Sequence, residues 1–259
     1  VFRGCEVTGN LNAHSVINPR GRWLRAIFTV VTAGSLAAAA ATQNLSSHDV
    51  SKADAISSPR DLSGVWMERQ NVVTFSSTEP PLQPWAAEKY LNAKPGYGPR
   101  ATPDSQDPIL SCLPPGVPRI MLIPFPMQIV QIPGEVILLF EYDHSIRHVY
   151  LDRREHPKEL DQTWMGDSIG RWEGNTLVVD TTGLNDKTWL DQVGHPHSDA
   201  LHVVERIRRV DRDTLQDDLT IDDPKAYKTP WTGQQIFKRK PTWHLLEYVC
   251  SENAAGARK

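Results

Sequence analysis

The chain has 259 residues, with 28 Lys and Arg against 31 Asp and Glu, a formal net charge of −3 and three cysteines. A mildly acidic chain gives no footing for nucleic-acid binding, which needs clustered basic charge. It carries no P-loop, no dinucleotide fingerprint and no Gly-x-Ser-x-Gly, so no motif supports nucleotide binding or serine hydrolysis.

In chain order, Arg20, Arg22 and Arg25 precede the apolar run Ala26 to Ala41, AIFTVVTAGSLAAAAA. Basic residues, then an apolar run, then small residues is the order of a secretory signal. The run is short of the roughly 20 residues of a membrane span. Residues 1–41 therefore read as a signal region, and its length before Arg20 fits an over-extended start at Val1. Loss of residues 1–41 removes four Arg and Glu6, leaving 24 basic against 30 acidic residues and a net charge of −6. It also removes Cys5, and in an exported, periplasmic or secreted protein the remaining Cys112 and Cys250 read as a disulfide. No stable membrane span is expected after signal removal.

Residues 42–60, rich in Ser, Ala and Asp, read as a linker, residues 61–253 as one domain and residues 254–259 as a tail. Asp-Leu-Ser-Gly-Val-Trp at 61–66 opens a first strand, its Trp placed to fill a barrel end. Phe75 to Ser111 is Pro-rich and irregular, apart from a short helix over Pro84 to Leu91. Cys112 to Arg119 continues this long loop. From Met127 the pattern turns to β: Met127–Ile132, Glu135–Tyr142, Ile146–Asp152, a segment from Asp161 into Arg171-Trp172-Glu173, then Thr176–Thr182 after the turn Gly174-Asn175. Ala200–Val210 with Thr214–Ile221, and Gln234–Arg239 with His244–Cys250, form two further pairs. Roughly ten strands with local connections predict an all-β, antiparallel, closed or nearly closed barrel.

SIGRWEGNTLVVDTTGLNDKTWLD, GHPHSDALHVVERIRRVDRDTL and the terminal LLEYVCSEN carry a resemblance. They look like a family of exported bacterial proteins of unknown function with a Gly-Arg-Trp-Glu-Gly-Asp-type hairpin. The resemblance covers about Asp61 to Asn253 and departs at Asn175, where Asp is expected. It implies export and a single domain, and transfers no reaction. Similarity to lipocalin-like barrels is a looser analogy, and fold does not fix function.

Candidate chemistry concentrates between Ser168 and Leu215. On the strand Ala200–Val210, alternation puts Glu205 on one face with Leu201, Val203 and Ile207, while His202, Arg206 and Arg208 share the other. A carboxylate in an apolar row must be paired or its pKa rises. Either it bridges an inward Arg such as Arg147 or Arg171, or it works as a general acid or base with His197 as partner. His195 and His197 stand in H-x-H spacing, which suits a divalent metal with Glu205 as third ligand. The alternative is a capped turn in which Asp199 orients His197. His195, His202, Asp180, Trp172, Trp189, Tyr142 and Arg147 are candidate ligand contacts, and Tyr142, His148 and Tyr150 share one face if their hairpin is tight. The tryptophans read either as core and barrel-end packing or as walls of a pocket for a planar or terpenoid ligand.

The readings left open are four. The first is a pocket for a small apolar or aromatic molecule with cofactor-free isomerase or lyase chemistry at Glu205 and His197. The others are a non-catalytic small-molecule-binding protein, a metal-dependent enzyme using His195, His197 and Glu205, and an envelope interaction protein.

Overall fold

A computed structural model describes residues 58–69 and 72–252. The expected signal region over 1–41, most of the expected 42–60 linker and the expected 254–259 tail lie outside the described residues. Nine strands close into one barrel in sequence order. They are β1 (Gly64–Glu68), β2 (Met127–Ile132), β3 (Glu135–Phe140), β4 (Ile146–Tyr150), β5 (Asp167–Glu173), β6 (Thr176–Thr182), β7 (His202–Asp211), β8 (Thr214–Asp222) and β9 (Trp231–Arg239). One helix, α1 (Pro84–Asn92), lies in the long β1–β2 connection and starts with Pro at its first turn, where the missing N–H has no partner to lose.

The closed barrel agrees with the sequence, but pairing is not antiparallel throughout. Eight of the nine neighbour pairs are antiparallel, and β4 with β5 is parallel. An odd number of strands forces this. Each antiparallel neighbour reverses direction, and nine reversals cannot return to the starting sense, so a nine-strand ring needs at least one parallel joint. That joint is short, with Val149 opposite Ser168 and Tyr150 opposite Ile169. Parallel neighbours need a crossover of about a dozen residues or more, and the segment 151–166 supplies it by running back along the barrel. Gly170 on β5 faces inward beside this joint, where an added Cβ would lie 2.7 Å from Val149 Cγ1.

The predicted strand His244–Cys250 is absent. Closure explains it: β9 already pairs with both β8 and β1, so no free edge remains for a tenth strand. Residues 240–249 instead form an irregular arm along the outside. Lys240 N donates to Val65 O at one end of the barrel, and Leu246 N donates to the Glu141 carboxylate at the other. There Cys250 is joined to Cys112 in a disulfide with Cα atoms 5.7 Å apart, so the pairing expected from the sequence is present.

The two barrel ends differ. Tight turns at 133–134, 174–175 and 212–213 mark one end. The connections 69–126, 141–145, 183–201 and 223–230 all gather at the other. Into this second mouth the Pro-rich loop sends a 3₁₀ turn, Arg119–Leu122, with all four residues buried. Ile120, Met121 and Leu122 join the same core cluster as the inward Leu138, Leu219 and Phe237. Gln235 Nε2, from inside β9, donates to Met121 O at 3.3 Å, and Gln192 Nε2 donates to Leu122 O at 2.6 Å. The loop therefore plugs the barrel. Among the described residues no helix is long and apolar enough to cross a membrane.

Candidate functional site

Strand alternation turns a small polar set inward. β4 contributes Arg147, β5 Ser168, β6 Thr181, β7 Glu205 and β8 Asp217, all buried. Arg147 grips Glu205 with both ends of its guanidinium: Nη1 donates to Oε1 at 2.9 Å and Nη2 to Oε2. Its remaining donors reach Ser168 Oγ at 3.2 Å and Thr181 Oγ1 at 2.8 Å, and these two hydroxyls bond each other at 2.9 Å. Of the two arrangements the sequence allowed for Glu205, the ion pair to Arg147 is the one formed, while Arg171 faces outward and pairs with Glu173.

Asp217 breaks the balance of this cluster. It is fully buried, and neither carboxyl oxygen has a hydrogen-bond partner in good geometry among the described residues. The register sets Leu219 opposite Glu205 and Asp217 opposite Ile207, so Glu205 and Asp217 are diagonal neighbours on one face. Burial and the adjacent Glu205 charge push the Asp217 carboxyl well above the ordinary carboxylate range, with Arg147 opposing. The cluster is thus one guanidinium, one carboxyl clasped by it, and a second carboxyl whose pKa is pushed up. Asp217 was legible by the rule that found Glu205: in TLQDDLTID it shares parity with Leu215, Leu219 and Ile221.

The H-x-H pair behaves differently from a matched metal pair. His195 Nδ1 meets the Asp191 carboxylate at 2.6 Å, its Nε2 meets Glu79 at 3.1 Å, and its ring stacks on Tyr90 at 4.2 Å. Burial disfavours its charge, but Asp191 and Glu79 more than offset that, and the His195 pKa is raised. His197 is as deeply buried, its Nδ1 lies 3.2 Å from Ser198 O, and its Nε2 has no partner among the described residues. Burial dominates there and lowers the pKa. Asp199 does not orient His197, because it is drawn to Lys225 at 2.5 Å. Both nitrogens of His195 are engaged by carboxylates, and among the described residues no group of three or more His, Cys, Asp or Glu is placed to hold a metal ion.

The other predicted contacts scatter. Asp180 and His202 meet at 2.8 Å on the outer face of the barrel, where His156 also reaches Asp180 at 3.2 Å. Trp172 lies under Arg60, and Trp189 faces the guanidinium of Arg119, which is itself locked to Asp107 in a fully buried bidentate pair. Tyr142 does not share a face with His148 and Tyr150. Asp143 and His144 take left-handed backbone conformations that interrupt the strand alternation, and Tyr142 packs instead with Phe125 and Tyr248. His148 and Tyr150 stack on each other outside the barrel. Of the predicted set, then, the structure joins Glu205 to Arg147 and Asp180 to His202.

Fold and site together define a plugged nine-strand barrel with an acid cluster sealed in its interior. No family model, no curated protein and no solved structure matches the chain.

Proposed function

We propose that this protein is an exported barrel that takes a small, largely apolar or aromatic molecule against its interior acid cluster and shifts a proton on it without a cofactor, as an isomerase or lyase does. The observation that carries the reading is Asp217, a fully buried carboxyl with no hydrogen-bond partner in good geometry among the described residues, set beside an Arg–carboxylate pair, with its pKa pushed up by burial and by the Glu205 charge. An unsatisfied buried polar group is destabilising by about 1–3 kcal/mol, and groups perturbed by burial and a charged neighbour concentrate at functional sites. In this role Asp217 replaces His197 as the partner of Glu205. Glu205 takes a proton from an activated carbon of the bound molecule, Arg147 stabilises the negative charge that collects there, Asp217 gives its proton to the molecule at the new position, and the proton on Glu205 passes back to Asp217 to reset the pair. Reaching the cluster requires the Arg119–Leu122 plug to withdraw. The Cys112–Cys250 disulfide supports export.

The test has two arms. Native mass spectrometry of protein isolated from its own host should show a bound organic molecule. Incubation in deuterated water with a panel of enolisable aromatic ketones should then show deuterium uptake by wild type and its loss in Asp217→Asn and Glu205→Gln. Full exchange activity in Asp217→Asn overturns the acid assignment. A second reading is favoured by the complete engagement of Glu205 by Arg147: the same interior binds without turnover, as a bound molecule with no deuterium uptake would show.

A further inference from the structure

Outside the barrel wall, on the rim of the plugged end, α1 presents an unusual face. Trp85, Glu88, Lys89 and Asn92 follow i, i+3, i+4 and i+7 spacing and so lie along one stripe of the helix. The opposite side of α1 is committed inward: Ala86 is fully buried and Tyr90 stacks on His195. The outward stripe, with Gln106 and Trp189 from neighbouring loops, lines a groove of about 440 Å³, within the usual range for a small-molecule site.

The two indoles are held in place. Trp85 Nε1 donates to Lys225 O at 2.6 Å, which satisfies its one donor while the ring stays 41% exposed. Trp189 is buried against the Arg119 guanidinium. Between them stand two opposite charges that do not neutralise each other: among the described residues neither Glu88 nor Lys89 has an ion-pair partner, and Lys89 Nζ stands 5.9 Å from the centre of the Trp85 ring. Aromatic walls with an anion and a cation on adjacent helix positions, neither in an ion pair among the described residues and the cation poised over the Trp85 ring, are complementary to a flat ring bearing both an ammonium and a carboxylate.

We infer that the groove between α1 and Trp189 binds a small aromatic zwitterion of the α-amino-acid class. Its ring lies against the indoles, its carboxylate faces Lys89 and its ammonium faces Glu88. This site is separate from the interior cluster and does not depend on proton transfer there.

The test uses four probes that remove one feature at a time, read by ligand-observed NMR titration of the whole protein. L-phenylalanine should bind saturably. Phenylpropionate, without the ammonium, and phenethylamine, without the carboxylate, should each bind about two- to fivefold more weakly, as expected for an exposed ion pair. Cyclohexylalanine, which keeps both charges without the aromatic ring, should lose about two- to tenfold, the range of an aromatic contact. Trp85→Ala should abolish saturation by L-phenylalanine, and the milder Lys89→Gln should weaken only the probes carrying a carboxylate. Trp243→Ala, an exposed indole on the C-terminal arm, should leave binding unchanged. Equal binding of cyclohexylalanine, equal binding to Trp85→Ala, or no saturable binding of L-phenylalanine to wild type each overturns the inference.

Discussion

The barrel interior and the rim loop solve one electrostatic problem with different residues. Inside, Arg147 holds Glu205 while burial and the Glu205 charge push the pKa of the adjacent Asp217 up. On the rim, Asp191 and Glu79 raise the pKa of His195 while burial lowers that of His197, two residues away. In each region one group meets a partner of opposite sign, and burial shifts its neighbour, which has none within hydrogen-bond reach among the described residues, toward the neutral form. Sequence proximity did not decide this: His195 and His197 face different surroundings. What matters is whether a counter-charge lies within hydrogen-bond reach, because a buried charge without one is far more costly than a buried neutral group. The regions differ in consequence. The interior favours the protonated form of an acid, and the rim favours the neutral form of a base.

The largest expected effect comes from breaking the clasp that ties the plug-bearing loop to the C-terminal arm. Cys112 and Cys250 are 138 residues apart in sequence. Loop-closure entropy for a span of that size corresponds to about 4–5 kcal/mol. The double change Cys112→Ser, Cys250→Ser should lower the urea midpoint accordingly, and an unchanged midpoint would show that the loop is held without it. Next in size, Arg147→Met leaves two carboxyls in the interior with no cation and should destabilise the fold by about 3–5 kcal/mol. Adding Glu205→Leu should recover most of that loss, and failure to recover would mean that Arg147 acts through packing rather than charge.

Asp217 sharpens the comparison through pH. Its folded pKa lies above its unfolded one, so the folded state holds a proton that the unfolded chain has released. Stability should therefore fall as pH rises above the ordinary carboxylate value of about 4, with a limiting slope of about 1.4 kcal/mol per pH unit. Asp217→Asn should remove this slope, and parallel pH profiles for variant and wild type would rule out the proton assignment.

The rim histidines should give smaller effects of opposite sign. The stabilisation from His195, whose pKa is raised, is complete below about pH 6.5 and lost as pH rises through the folded value. The contribution of His197, whose pKa is lowered, is complete above about pH 6.5 and lost as pH falls. His195→Gln should flatten the alkaline side of the stability profile and His197→Gln the acid side. Proton-detected NMR titration of the two rings would show the same split directly, and coincident titrations would refute it.

Much of the barrel was legible in the chain because strand alternation is local. Glu205 on the apolar row of β7, the Gly174-Asn175 turn and the β7–β8 pair follow from residues close in sequence. Asp217 was equally legible by parity but stands beside Asp218 in a run of polar residues, where an inward carboxylate is hard to tell from a solvated one. The failed strand at His244–Cys250 has apolar residues of the right kind. A strand also needs an open edge, and whether one remains depends on how the ring closes.

By itself the sequence determined the all-β class and the inward parity of Glu205, since both rest on local periodicity, and it suggested the Cys112–Cys250 pair by a count that the structure then bears out. Tertiary structure alone decided that the barrel closes on nine strands through one parallel joint and that the Pro-rich loop fills its mouth. It also decided that Arg147 rather than His197 meets Glu205, and that Asp217 lies buried on the same face beside that pair. These depend on charges and backbone edges brought together from distant parts of the chain, where burial sets the energy of each group and only its spatial neighbours can offset it.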